Sequence, residues 1–283
     1  MKLYNYKNIL KDWVPPVITK SVVKILALDP SERKTYSSYQ EAMQDTENPD
    51  GYELDNIVKL EFLRTKKIKE ELEQPDYIKI SDVDLKGLVS LSAFVNKKKI
   101  TVIDLGGGCG RHYFFKRKLL APDIELNWYV VETPAMCNYG KSLENGELRF
   151  RDNLADTIKE AGHIDMVYAS GVLQCVDKPW EFLDLITSCK ADFIFFHRLA
   201  LSNKKDVTVI HKYSLSWNGT YQLPEGVEDR IVAYPFSFIE KKRFFETLQK
   251  TYSILMEFSE QSGVFPVKGE ELTGLGLLCK LKN

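Results

Sequence analysis

Residues 100–115, "ITVIDLGGGCGRHYFF", decide the fold. Ile100–Leu105 is a β-branched, apolar run without alternation, which reads as a strand buried on both faces. Directly after Asp104 and Leu105 come Gly106, Gly107, Gly108 and, one residue on, Gly110. Glycine is costly inside regular structure, so this density marks a turn that bends sharply or must be approached closely by something else. A helix is expected to start near Arg111.

The chain repeats this grammar outward from that point. "LNWYVVE" (126–132), "LRFRD" (148–152), "IDMVYAS" (164–170) and "ADFIFFHRLAL" (191–201) read as further strands, and "PWEFLDLITSC" as a helix between two of them. Short apolar strands alternating with helices imply a parallel sheet covered on both faces. Near the end, "SFIEKKRFFETLQKT" (237–251) reads as a helix. "YSILMEFSE" (252–260) and "GLGLLCKLK" (274–282) read as strands whose short connection favours an antiparallel pair. The expected fold is α/β: a Rossmann-like, seven-stranded, mostly parallel sheet with one antiparallel edge-pairing strand. Residues 1–95 are expected to form an N-terminal helical region, with helices near 17–28, 37–45, 53–73 and 81–95, the last capped by Ser81. Residues 96–283 then form the main domain, with a β-ribbon inserted at about 205–235.

Composition narrows the function classes. The 283 residues are 44% hydrophobic and 28% charged with a net charge of −1, which fits a soluble core-forming protein and gives no global pull toward nucleic acid. The five cysteines include no C-x-x-C pair and no histidine at zinc-ligand spacing, so neither a disulfide framework nor a metal is expected; a reducing, cytoplasmic setting is. The opening "LYNYKNILKDWVPPVITKSVVKILAL" is too interrupted by lysines and prolines to span a bilayer. It reads as a docked helix or as an interfacial segment with Trp13 at the headgroups, so peripheral membrane contact stays open.

Ligands of open α/β sheets bind beyond the carboxyl ends of the strands. A dinucleotide fingerprint, G-x-G-x-x-G, counted from Gly106 and Gly108 would need glycine where Arg111 stands, and Asp104 would repel a pyrophosphate. The spacing that fits is D-x-G-x-G-x-G: Asp104, Gly106, Gly108, Gly110. It resembles motif I of the class I S-adenosylmethionine-dependent methyltransferases. That cofactor has no phosphate and carries an ammonium group, which a carboxylate binds directly or through water. Glu132 at the end of the next strand is placed for ribose hydroxyls, and Asp152 and Asn153 for the adenine amino group. Ala169, Ser170 and Gly171 stand where many such enzymes line the methionine portion.

The whole chain resembles a family of methyltransferases encoded among surface-polysaccharide (O-antigen) biosynthesis enzymes. The resemblance is carried by "YSSYQEA" (36–42), "GYE" (51–53), "DLGGGCGRHYF" (104–114), "WYVVETP" (128–134), Arg198 and "AYP" (233–235). It implies methyl transfer to a saccharide or other small acceptor. The chain departs from the pattern at His197, where an acid is expected.

Transfer from a sulfonium to a hydroxyl needs alignment and a base. Candidates are His112 and Tyr113 after the glycine turn, His197 and Arg198 at the end of the fifth strand, and His211 on the ribbon. Arg198 suits an acidic acceptor or a phosphate. Tyr213, Trp217 and Tyr221 suit stacking on sugar rings. The alternatives to a methyltransferase are a nicotinamide-dependent oxidoreductase and a non-catalytic module that keeps the fold.

Overall fold

The computed structural model describes residues 33–46, 55–74, 78, 80–217, 223–225, 227–261 and 263–282. The helix expected at 17–28, the interfacial segment, "GYE", Tyr221 and the side chain of Trp217 lie outside the described residues. The strands are β1 (Thr35–Tyr36), β2 (Lys99–Leu105), β3 (Glu125–Val131), β4 (Leu148–Arg151), β5 (Met166–Ser170), β6 (Phe193–Ser202), β7 (Val207–Ser214), β8 (Ile231–Glu240), β9 (Tyr252–Ser259) and β10 (Leu272–Leu281). The helices are α1 (Tyr39–Gln44), α2 (Asp55–Leu72), α3 (Asp82–Gly87), α4 (Arg111–Leu119), α5 (Pro134–Gly140), α6 (Leu154–Ala161), α7 (Pro179–Ser188) and α8 (Lys241–Leu248).

Seven strands form the expected sheet in the order β4-β3-β2-β5-β6-β10-β9. Every pair from β4 to β6 is parallel, and β10 runs antiparallel to both β6 and β9. Alternation along β2 divides the core. Ile100 and Val102 pack with Trp128, Tyr168 and Phe195 beneath α2, α4 and α5, while Ile103 and Leu105 pack with Val167 and Phe196 beneath α6, α7 and α8. Both faces of the central strands are covered, so those strands could not have shown a polar alternation.

A second group of strands hangs from the far half of β6. Beyond the end of β5, Leu201 and Ser202 pair in parallel with Ile239 and Glu240 of β8. β7 lies antiparallel to β8 from Val207 opposite Phe238 to Ser214 opposite Ile231. β1 adds itself antiparallel to β7, so the N-terminal region supplies a strand as well as helices. The reading of 237–251 as one helix is corrected here. Ser237–Glu240 complete β8, and α8 begins at Lys241.

Local signals set the helix starts. The hydroxyls of Ser38, Ser81 and Thr133 and the side-chain oxygen of Asn153 each accept an otherwise orphaned first-turn amide, contributing about 1 kcal/mol apiece. Pro134 and Pro179 open α5 and α7, where a missing N–H costs nothing.

Candidate active site at the carboxyl edge

The parallel register brings the strand ends level. Leu105 is opposite Val131 and Ala169, Val131 opposite Arg151, and Ser170 opposite His197. The residues that leave the sheet at this edge are therefore Gly106, Glu132, Asp152 and Gly171, from four different strands, while Arg198 stands level with Gly171 inside β6, which runs on to Ser202 and so does not end there as expected.

Gly106, Gly108 and Gly110 take φ of 64, 57 and 88°, a region L side chains avoid. Gly107 is glycine for a different reason. A Cβ there would lie 2.5 Å from Asp104 Oδ2. Asp104 itself is fully buried beneath the turn. One oxygen accepts the Trp128 indole N–H at 3.1 Å, and His112 Nδ1 lies 3.1 Å from both. Its carboxylate is engaged inside the protein, which corrects the expectation of direct contact with a cofactor ammonium: Asp104 shapes the turn from below.

Two other carboxylates border the turn. Half-buried Glu132 accepts the Gly108 amide at 3.0 Å and the Thr133 amide at 2.9 Å. Burial, with Asp104 and Glu61 nearby, pushes its acid up to about 7 against the pull of those amides. Glu61, on α2, was missed from sequence. Its Oε2 lies 3.9 Å from where a Gly108 Cβ would be, so it faces the turn from outside. Its one cationic neighbour among the described residues is Arg64, at a loose 3.9 Å. A signal existed: Glu61 falls within the buried stripe of α2 that runs through Ile57, Val58, Leu60, Arg64, Thr65 and Ile68, where an acid is out of place. Asp152 is exposed at the end of β4. Asn153 Oδ1 is spent on the Asp156 amide at 3.0 Å, so Asn153 starts α6.

Between the end of β5 and the middle of β6 lies a directed hydrogen-bond chain. Arg198 donates from Nε to Ser170 Oγ at 3.2 Å and from Nη2 to the Ser170 carbonyl at 3.1 Å. Ser170 Oγ is 3.2 Å from His197 Nδ1, and His197 Nε2 is 3.0 Å from Glu260 Oε2. Glu260 is also 3.4 Å from the Lys86 ammonium. The directions agree if neutral His197 carries its proton on Nε2. Burial pushes its pKa down to about 4, so it is neutral at pH 7. With 2% exposure and both nitrogens engaged, His197 is no base for an acceptor; that expectation is corrected. Arg198 has φ of 53° and sits at a bulge, where two steps along β10 (Leu275 to Leu277) match three along β6 (Leu199 to Phe196). Bulges re-aim side chains, and this one turns Arg198 back over Ser170.

The remaining candidates are dispersed. Tyr113 is corrected: its ring is in the core and its hydroxyl donates to Glu147 at 2.8 Å, away from the strand ends. His112 packs its ring on Tyr168 and borders a small cavity with Val83, Asp84, Phe115, Lys116, Tyr168 and His197, roomy enough for about one water. His211 stacks on Phe265 at 4.7 Å, its Nδ1 3.3 Å from the Tyr234 hydroxyl. Burial, reinforced by Arg33, pushes its pKa down to about 4, making it a weak base. Ala169 is buried in the core, with only its main chain at the edge. At the opposite edge of the sheet, His163, Asp165 and Asp192 converge, but the Lys97 ammonium already bridges both aspartates. All five cysteines are free. Among the described residues no helix is long and apolar enough to cross a membrane.

No family model matches the sequence, and no curated protein does. Solved structures do resemble the fold. The N-terminal domain of EvdMO1 with SAH bound gives a TM-score of 0.47 at 12% identity over 78% of this chain and 96% of that one. The [4+2]-cyclase SpnF gives 0.47 at 11% over 88% and 98%. An S-adenosylmethionine-dependent methyltransferase from Clostridium acetobutylicum gives 0.42 at 13% over 78% and 99%.

Proposed function

We propose that the protein is an S-adenosylmethionine-dependent methyltransferase acting on an oxygen atom of a saccharide or other small acceptor in glycan assembly. One observation carries the donor: a glycine turn at the carboxyl end of the central strand, bordered by the carboxylates of Glu61, Asp104 and Glu132. Two of them reach the Gly108 side of the turn, and Glu132 is held up to about 7 partly by the others. An arriving cation relieves that repulsion, whereas a diphosphate aggravates it. This disfavours the nicotinamide alternative, as does Arg111, which pairs with Asp84 at 2.5 Å and so points back to α3.

The residues fit the donor as follows. Glu61 is the carboxylate open to its ammonium, Gly106 and Gly108 let its chain lie against bare backbone, and Glu132 and Asp152 offer acceptors to its ribose and adenine. Bound there, it supplies a methyl group already activated on a sulfonium. The protein's own task is to orient the acceptor at Gly171 and Arg198. The saccharide assignment rests on the family resemblance of the sequence.

A thermal-shift titration with S-adenosylhomocysteine and NAD tests the donor. The expected result is a shift with the first alone, which is strongly reduced in Glu61→Gln while the variant's own melting is cooperative. A tenfold loss of affinity corresponds to about 1.4 kcal/mol. A shift with NAD alone, or an unaltered response in Glu61→Gln, would overturn the assignment. Labelled methyl transfer separates an enzyme from a module that only binds.

A further inference from the structure

We propose that the acceptor oxygen is that of a carboxylate, gripped by Arg198, so that the product is a methyl ester. The inference rests on the donor reading above and deepens it.

The first ground is an unbalanced charge. Arg198 is half-buried, yet no carboxylate among the described residues pairs with it. Arg111, Arg117 and Arg151 pair with Asp84, Glu147 and Glu160, and Arg149, which has no carboxylate partner among the described residues, spends its donors on Asn127 and on the carbonyls of Glu147 and Gly146. A guanidinium withdrawn from water without a counter-charge is costly. Its guanidinium donates to the hydroxyl and the carbonyl of Ser170, leaving three of its five N–H donors unspent among the described residues. That remainder matches the two oxygens of a carboxylate.

The second ground is that no histidine is placed as a base, and that Glu132 is already tied to the Gly108 and Thr133 amides. A hydroxyl acceptor must lose a proton, but His197 is sealed, His112 faces a water-sized cavity, and His211 is a weak base within an aromatic cluster. A carboxylate needs none. Its oxygen lone pair forms the new O–C bond, the C–S pair leaves with sulfur, and no proton moves; a cationic sulfonium and an anion become a neutral thioether and a neutral ester.

The third ground is how firmly Arg198 is held. A Cβ on Gly171, whose φ is 68°, would lie 3.1 Å from Arg198 Nη2, so the guanidinium lies against bare backbone at the end of β5. Gln174, 4% exposed, donates Nε2 to the Arg198 carbonyl at 2.9 Å, and its Oε1 has no hydrogen-bond partner. A hydroxyl beside the acceptor's carboxylate would supply one, which favours a sugar acid. In this arrangement His197 and Glu260 are positioning residues for Arg198.

The test needs no donor. Wild type and Arg198→Gln are melted with glucuronate, glucose or glucose 6-phosphate at matched ionic strength. Glucuronate is expected to raise the wild-type Tm by about 3 °C when in roughly tenfold excess over Kd. Glucose is expected to do nothing, and Arg198→Gln to lose the response while melting no lower than wild type. A response to the phosphate alone, no preference for glucuronate over glucose, or an unchanged response in Arg198→Gln would overturn the proposal. In a second arm with methyl-labelled donor and uronic-acid saccharides, mild alkali should release the label as methanol; alkali-stable label, or none at all from a protein that binds S-adenosylhomocysteine, would overturn it too. Failure of S-adenosylhomocysteine itself to bind would instead sink the donor reading and leave the glucuronate result standing.

Discussion

Lys116→Met should make the protein more stable at neutral pH. Lys116 is on α4, 2% exposed, with Nζ 4.1 Å from the Tyr168 ring centre and 5.6 Å from that of Trp128. No carboxylate among the described residues is within ion-pairing distance of it. Burial lowers its pKa from 10.5 to about 8, against the attraction of Asp104 and Asp84. At about 1.4 kcal/mol per pH unit this is a penalty of about 3 kcal/mol. The sign follows from proton counts. Below pH 8 folded and unfolded chains both hold the proton and the penalty is complete. Between pH 8 and 10.5 the unfolded chain alone holds it, so stability rises with pH, and above 10.5 the penalty is gone. Methionine keeps the length and removes the charge. It also forfeits the ring contacts, about 2 kcal/mol when desolvated, so the net gain at pH 7 is about 1 kcal/mol. Urea unfolding of both proteins across pH 7 to 10 would measure it, the difference cancelling tyrosine and cysteine titrations common to both. The variant should lead at pH 7 and lose its lead by pH 10. A variant less stable than wild type at pH 7, by an amount independent of pH, would refute the reasoning.

Two further perturbations test the site's construction. Gly107→Ala should cost about 2–4 kcal/mol, because the added methyl meets an Asp104 carboxylate that is tied to Trp128 and His112; an unfolding midpoint equal to wild type would show that the turn has slack. His211→Phe should flatten the acid limb of the stability curve. His211 is neutral in the fold and titrates near 4, whereas the unfolded chain takes the proton below about 6.5, so wild type loses stability as pH falls from 6.5 to 4. Thermal melts at pH 7 and pH 5 should show the variant gaining on wild type at the lower pH, and a constant difference would contradict this.

The parts of this protein that could be read from sequence are those whose physics is local. Ile100–Leu105 is buried on both sides and stops at glycines, so strand, turn and helix start were all visible in sixteen residues. Ser81 could be recognised as a cap for the same reason. Where tertiary pairing decides, the reading failed. Ser237–Glu240 continue an apolar pattern that a helix or a strand could carry, and only pairing with β7 and β6 selects the strand. Thr35–Tyr36 are too short to announce themselves. Tyr113 directly follows His112, but one helical step turns a side chain by about 100°, sending one ring beneath the turn and the other into the core. The partners of His197 come from β5 and from the loop after β9, 27 and 63 residues away in the chain. Glu61 could have been suspected as an acid in an apolar stripe, but what it faces follows only from how α2 packs.

Strand β6 joins two parts of one sheet, pairing β5 along Phe193–His197 and β8 through Leu201 and Ser202 at its end. A flap joined through side chains alone can lift and resettle at small expense, but one stitched to the floor by a common run of peptide bonds moves only if the floor tears. The β7–β8 ribbon is therefore scaffolding. Any breathing that admitted a guest would fall to α2 and α3, which meet the glycine turn and the start of α4 through side chains such as Glu61 and Asp84 and share no ladder with them.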